Sequence, residues 1–231
     1  MFAPFQKPHF PSPGPSGGGK APLPLAESRE DGLAGRISSA MALTVQVRAY
    51  FGGSSCNGVN SKIFDGPKAV SREIFLERRE KYLSALGECN AAIAAWLSLM
   101  LVVKEGASDH FQACLVLNEL YDKRCKLLGD LHDPEAPDVV GDLWVIRRLR
   151  SSQRALSYIE KAASCKEKPQ LPELEQGSLS GRLAQAHESL GQNYFNQVVS
   201  RGERLTNAQI GKYSQLQKFH IQCGFEILEQ M

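Results

Sequence analysis

From about residue 67 to the last residue, apolar side chains recur at three- and four-residue spacing, in five stretches separated by glycine and proline breaks. That period matches the α-helix, and a stripe so formed covers only one face, so every helix needs a neighbour. The first stretch, about Lys68 to Lys104, carries Val70, Ile74, Tyr82, Leu86, Cys89, Ile93, Trp96, Met100 and Val103. Gly106 and Ser108 supply a stop and a fresh N-cap for the second, with Phe111, Cys114, Leu117, Tyr121 and Leu128. Asp133-Pro134 and Pro137 open the third, whose stripe of Val139, Leu143, Ile146, Leu149, Leu156 and Ile159 is interrupted by Ser152 and Gln153. Leu179, Leu183, Ala186, Leu190, Tyr194 and Val198 define the fourth. The fifth has the sharpest start: Thr206 and Gln209 have capping-box spacing, with Leu205 and Ile210 placed as a hydrophobic staple. It runs without a break to Met231, which suggests a helix that reaches into a partner or a chain cut from a longer one.

The fold class expected is all-α: an antiparallel bundle or short solenoid of about five helices over 67–231. Two segments precede it. Seven of the twelve prolines fall between Pro4 and Pro24, so residues 1–40 read as a disordered Pro/Gly-rich arm. Residues 41–66 read as an extended or strand-like linker, because Leu43, Val45, Val47, Ala49 and Phe51 alternate with Thr44, Gln46, Arg48 and Tyr50. Whether Met1 or Met41 is the working start is open.

Charge disfavours nucleic acid as a partner. The net charge is +2, and the residues after Gly66 carry 21 groups of each sign. A nucleic-acid binder concentrates positive charge on its folded part. Six cysteines without a CxxC clip, together with the lack of a signal-peptide pattern, point to a reducing compartment. The expected location is cytoplasmic, with the nucleus also open. The apolar run from Ala91 to Val103 is shorter than the ~20 residues of a bilayer span and reads as a core helix.

Motifs that imitate known chemistry fail on the residue that matters. Gly14 to Ala21 has the shape of a phosphate-binding loop, but Ala21 lacks the hydroxyl that holds magnesium. Gly177-Ser-Leu-Ser-Gly181 has Leu179 where a hydrolase elbow needs its serine. His110 with Cys114, and His220 with Cys223, are half-sites that would make a zinc site only if their helices touched. Leu190-Gly191-x-x-Tyr194 matches a fragment of the tetratricopeptide repeat, but no second copy appears, so Gly191 reads as a close helix crossing. Leu128-Gly129-Asp130 has the core spacing of a BH3 helix, with Cys125 where the key leucine belongs. Pro8-His-Phe-Pro11 is a PxxP without a flanking basic residue. No catalytic residue, metal ligand or cofactor site is expected.

What remains is binding. The last helix has more apolar side chains than one stripe can bury, which leaves Phe219, Phe225 and Leu228 as candidate interface residues. Arg147, Arg150 and Arg154 cluster on the third helix with few local acids and suit an acidic partner surface or anionic lipid. The expectation is a non-catalytic adaptor or complex subunit that binds other proteins, with the last helix as the candidate contact, and that is open to self-association. The alternatives are a helical membrane-trafficking module on anionic membranes and an enzyme whose site is assembled from distant helices.

Overall fold

A computed structural model describes residues 29–51, 72–131, 138–166 and 173–231. Among them are six α-helices and no strand: α1 Arg29–Tyr50, α2 Arg72–Met100, α3 Ser108–Asp130, α4 Asp138–Ser164, α5 Glu173–Arg201 and α6 Asn207–Glu229. A single 3-10 turn, Gly202–Arg204, joins α5 to α6. Each helix packs chiefly on the helices next to it in sequence. The result is an open array of helical hairpins in which α1 and α6 are the ends. The expected helical unit is therefore present, with one helix more than the five stripes.

That additional helix replaces the strand-like reading of residues 43–51. Leu33, Ile37, Ala40, Thr44 and Val47 recur at helical spacing, and their side packs into the core with Ala40, Thr44 and Val47 buried. The alternation that suggested a strand is incidental to this stripe, which Ala40 and Thr44 make hard to see. Part of the expected arm, residues 29–40, belongs to α1. The earlier residues, including the loop-like Gly14 to Ala21 and the PxxP, lie outside the described residues.

Two polar contacts fasten α1. The indole Nε1 of Trp96 donates to Thr44 Oγ1 at 2.9 Å, and Thr44 Oγ1 donates to the Ala40 carbonyl at 2.9 Å, so a buried pair is satisfied without water. Arg48 grips Glu119 of α3 through both carboxylate oxygens, its Nε donating at 2.9 Å. Burial pushes the Glu119 carboxyl up, but the Arg48 hydrogen bonds and charge outweigh it and hold the group below its ordinary value.

The main core lies between α1, α2, α3 and α4, around Trp96, Leu99, Phe111, Leu117, Leu120 and Leu127. Among the described residues, one helical segment, Arg79–Met100, is long and apolar enough to cross a membrane. In this fold its Ala85, Cys89, Ala92, Ile93, Trp96 and Leu99 are core residues. A second, smaller core holds Leu149, Leu156, Ile159, Ala186, Leu190 and Tyr194 between α4 and α5, with Tyr213 and Leu216 of α6 leaning against it.

Several polar groups in the packed interior are matched, whereas Arg148 Nε and Asn193 Oδ1 are buried without a hydrogen-bond partner. On α4 the stripe is interrupted as expected by Ser152, which donates to the Leu149 carbonyl, and Gln153, which donates to the Tyr194 hydroxyl on α5, while the neighbouring Ser151 accepts from Arg124 at 2.6 Å. Asn118 donates to the Ala155 carbonyl at 3.0 Å, and Gln197 donates to the Val145 carbonyl at 2.8 Å. Gly106 has a positive φ of 85°, a conformation that glycine adopts freely, and it turns the chain into α3. The cap of α3 is Ala107 rather than Ser108, and it makes no side-chain capping bond.

Candidate protein-interaction surface

Helix α6 begins as the sequence requires. Thr206 Oγ1 accepts from the Gln209 backbone N–H at 3.3 Å, while Gln209 Oε1 accepts from the Thr206 backbone N–H at 2.9 Å. This reciprocal pair satisfies two N–H groups that would otherwise lack partners and fixes where the helix starts. The preceding turn is tied down by Asp142 of α4, which pairs with Arg201 at 3.2 Å and Arg204 at 3.0 Å.

Glycine lets α6 approach α5 closely. A Cβ on Gly191 would meet Ile221 carbons at 3.0 Å and the Gln217 carbonyl at 3.3 Å, and one on Gly224 would meet the Ala184 carbonyl at 3.2 Å. Gly191 is thus a close-crossing residue, as expected from its place in the unrepeated Leu190-Gly191-x-x-Tyr194 fragment. Between these two contacts lie two buried histidines, with His187 Nδ1 3.0 Å from His220 Nδ1. Tyr194 stacks on the His220 ring, and Phe219 meets it edge-on. Burial holds His187 below its ordinary value of 6.5, partly countered by Glu160. Burial, reinforced by His187, holds His220 below it as well.

Beyond this seam α6 is poorly covered. Only His220 and Gly224 are buried along its whole length. Ile210, Tyr213, Leu216, Ile221, Cys223 and Ile227 are half-buried. Phe219, Phe225 and Leu228 are 57%, 60% and 52% exposed, so all three candidate interface residues reach solvent. They do not form one stripe. At 100° per residue, Phe225 and Leu228 share one flank, while Phe219, six residues before Phe225, lies 120° away across the outer face. On α5, Phe195 and Val199 are exposed one helical turn apart.

The arginines form a separate surface. Arg147, Arg150 and Arg154 are all exposed, and the spacing puts them on one face of α4. Arg147 lies over the Trp144 ring at 5.5 Å, and Arg154 over Tyr121 of α3 at 6.0 Å. The face therefore borders α3, and α5 intervenes between α4 and α6. The structure does not bring the arginine and phenylalanine groups together.

The remaining motifs are absorbed by packing. His110 and Cys114 lie on α3 and His220 and Cys223 on α6, helices that are not packed on one another. His110 Nδ1 is instead 4.0 Å from Cys114 Sγ and 3.5 Å from Cys165 Sγ. Burial pushes the Cys89 and Cys114 thiols up to about 11, which leaves them protonated and unreactive near neutral pH. Leu128 is buried, and a Cβ on Gly129 would meet the Arg148 guanidinium at 3.1 Å. The BH3-like leucine thus faces this protein's own core. Neither the histidine pair nor the α1 latch was visible in the sequence, since each joins residues from different helices.

Comparison with family models, with curated proteins and with solved structures returned no match.

Proposed function

We propose that this chain is a non-catalytic adaptor or complex subunit that works by helix-mediated contact with other proteins, with α6 as its docking helix. The observation that carries this reading is the exposure of Phe225 and Leu228 on the terminal helix of the array. An end helix that faces only water is expected to present a polar outer side, whereas aromatic anchors on a polar surface are typical of interfaces. The setting would be the cytoplasm. Affinity capture with the full chain tests the proposal. Wild type should recover specific proteins that the folded Phe225→Ser/Leu228→Ser variant does not. Identical recovery by both forms would overturn it.

A second reading draws on the arginine face. Arg147, Arg150 and Arg154 together present three positive charges on one side of α4, which favours an anionic surface, including the membrane of a trafficking module. Vesicles containing phosphatidylserine should then bind wild type and release it when all three arginines are changed to glutamate. Equal binding by the variant removes this reading.

A further inference from the structure

Helix α6 carries its charges in two blocks: Lys212 and Lys218 come first, Glu226 and Glu229 last. Lys212, Phe219 and Glu226 are each separated by seven residues, so they fall on one face of the helix, with Lys212 and Glu226 each about 20° from Phe219, on opposite sides of it. All three are exposed. Leu216 and Cys223, only half-buried, border the same face. This face points away from the α5 contact made by His220 and Gly224, and it is not the flank that holds Phe225 and Leu228.

We propose that this face binds a second copy of the chain, pairing α6 with α6 antiparallel about a two-fold axis near Phe219. The inference rests on the reading of α6 as a docking helix and names an occupant for one side of it. Charge complementarity selects this occupant. A two-fold interface is isologous, so whatever residue i meets on the partner, that residue's counterpart meets i in return. With the axis near Phe219, Lys212 lies one heptad, about 10 Å, to one side and Glu226 the same distance to the other. Lys212 of one copy then opposes Glu226 of the second, and the reverse pair forms as well. The two Phe219 rings meet at the centre, where anchor residues contribute most. A parallel arrangement would instead set lysine against lysine and glutamate against glutamate. The open array supports the same occupant, because stacking end helix on end helix continues the packing by which α1 to α6 already cover one another.

Sedimentation of the purified full chain tests this, with circular dichroism confirming that each variant is folded. Wild type should dimerise reversibly below about 100 μM. Phe219→Ser should raise the dissociation constant by about thirtyfold or more. Lys212→Glu alone, or Glu226→Lys alone, should raise it roughly tenfold, because each creates two like-charge contacts. An equimolar mixture of the two charge variants should dimerise as wild type does, since each supplies what the other lacks. The chain that combines both exchanges should also recover. A wild type that stays monomeric overturns the proposal, as does a dimer insensitive to Phe219→Ser or a mixture no tighter than either variant alone. These failures leave partner capture through Phe225 and Leu228 untouched, so the loss of one reading is distinguishable from the loss of the other.

Discussion

Replacing Thr44 by valine removes one hydroxyl from the contact that seats α1. Thr44 is fully buried and Trp96 nearly so, and the indole Nε1 donates to the threonine oxygen at 2.9 Å. Valine has almost the same shape, so no cavity opens, but the indole N–H loses its acceptor. A buried donor left unsatisfied costs about 1–3 kcal/mol, and the methyl that replaces the hydroxyl returns part of this. The net loss should be about 1.5 kcal/mol, which for a chain of this size lowers the melting temperature by roughly 3–6 °C. Denaturant unfolding followed by circular dichroism gives the magnitude, and hydrogen exchange over residues 32–51 gives its location. A cycle with Trp96→Phe separates the bond from the packing. In the phenylalanine background no donor remains, so Thr44→Val should cost less than about 0.5 kcal/mol. If Thr44→Val melts with wild type, or costs as much without the indole as with it, the seating of α1 on Trp96 is refuted.

Deleting residues 1–40 should destabilise the protein by about 2 kcal/mol, because Leu33, Ile37 and Ala40 leave the core with it. An unchanged unfolding midpoint would show that the first half of α1, residues 29–40, contributes nothing. Thr206→Ala should cost about 1 kcal/mol and speed hydrogen exchange at the start of α6, where the cap now holds the Gln209 amide. Both buried histidines titrate below 6.5, so the folded state binds fewer protons than the unfolded chain near that pH. Their contribution is complete above 6.5 and is lost as the pH falls through their folded values, so stability should drop on acidification from about pH 7 to pH 5. His220→Phe should flatten that part of the profile, and a profile unchanged by the substitution would count against the pair.

Helices α2 to α6 were legible because each joins a one-sided stripe to a chemical stop: Gly106, Pro134, Pro137, Gly202 and the Thr206–Gln209 box. Helix α1 was not, because Ala40 and Thr44 weaken its helical stripe while the β-branched and aromatic residues from Leu43 to Phe51 fit period two equally well. Its tertiary partners, Trp96 and Glu119, decide the matter, and they lie on other helices. The surplus of apolar residues on α6 was likewise readable, since one stripe cannot bury Phe219, Phe225 and Leu228 together. The pairing of His187 with His220 depends on how α5 and α6 are phased against each other. That phasing is set by Gly191, legible as a close crossing, together with Gly224, whose contact with the Ala184 carbonyl no single-helix pattern encodes.

If a protein partner docks on the outer flank of α6, as proposed, hydrogen exchange on the captured complex will register it there. Residues 222–230 include the last turns of α6, where exposed Phe225 and Leu228 leave the backbone free to open. Adding partner should slow exchange in this stretch and leave α2 and α3, already deep in the main core, as they were. Protection confined to other helices, with residues 222–230 exchanging as in the free protein, would contradict the account.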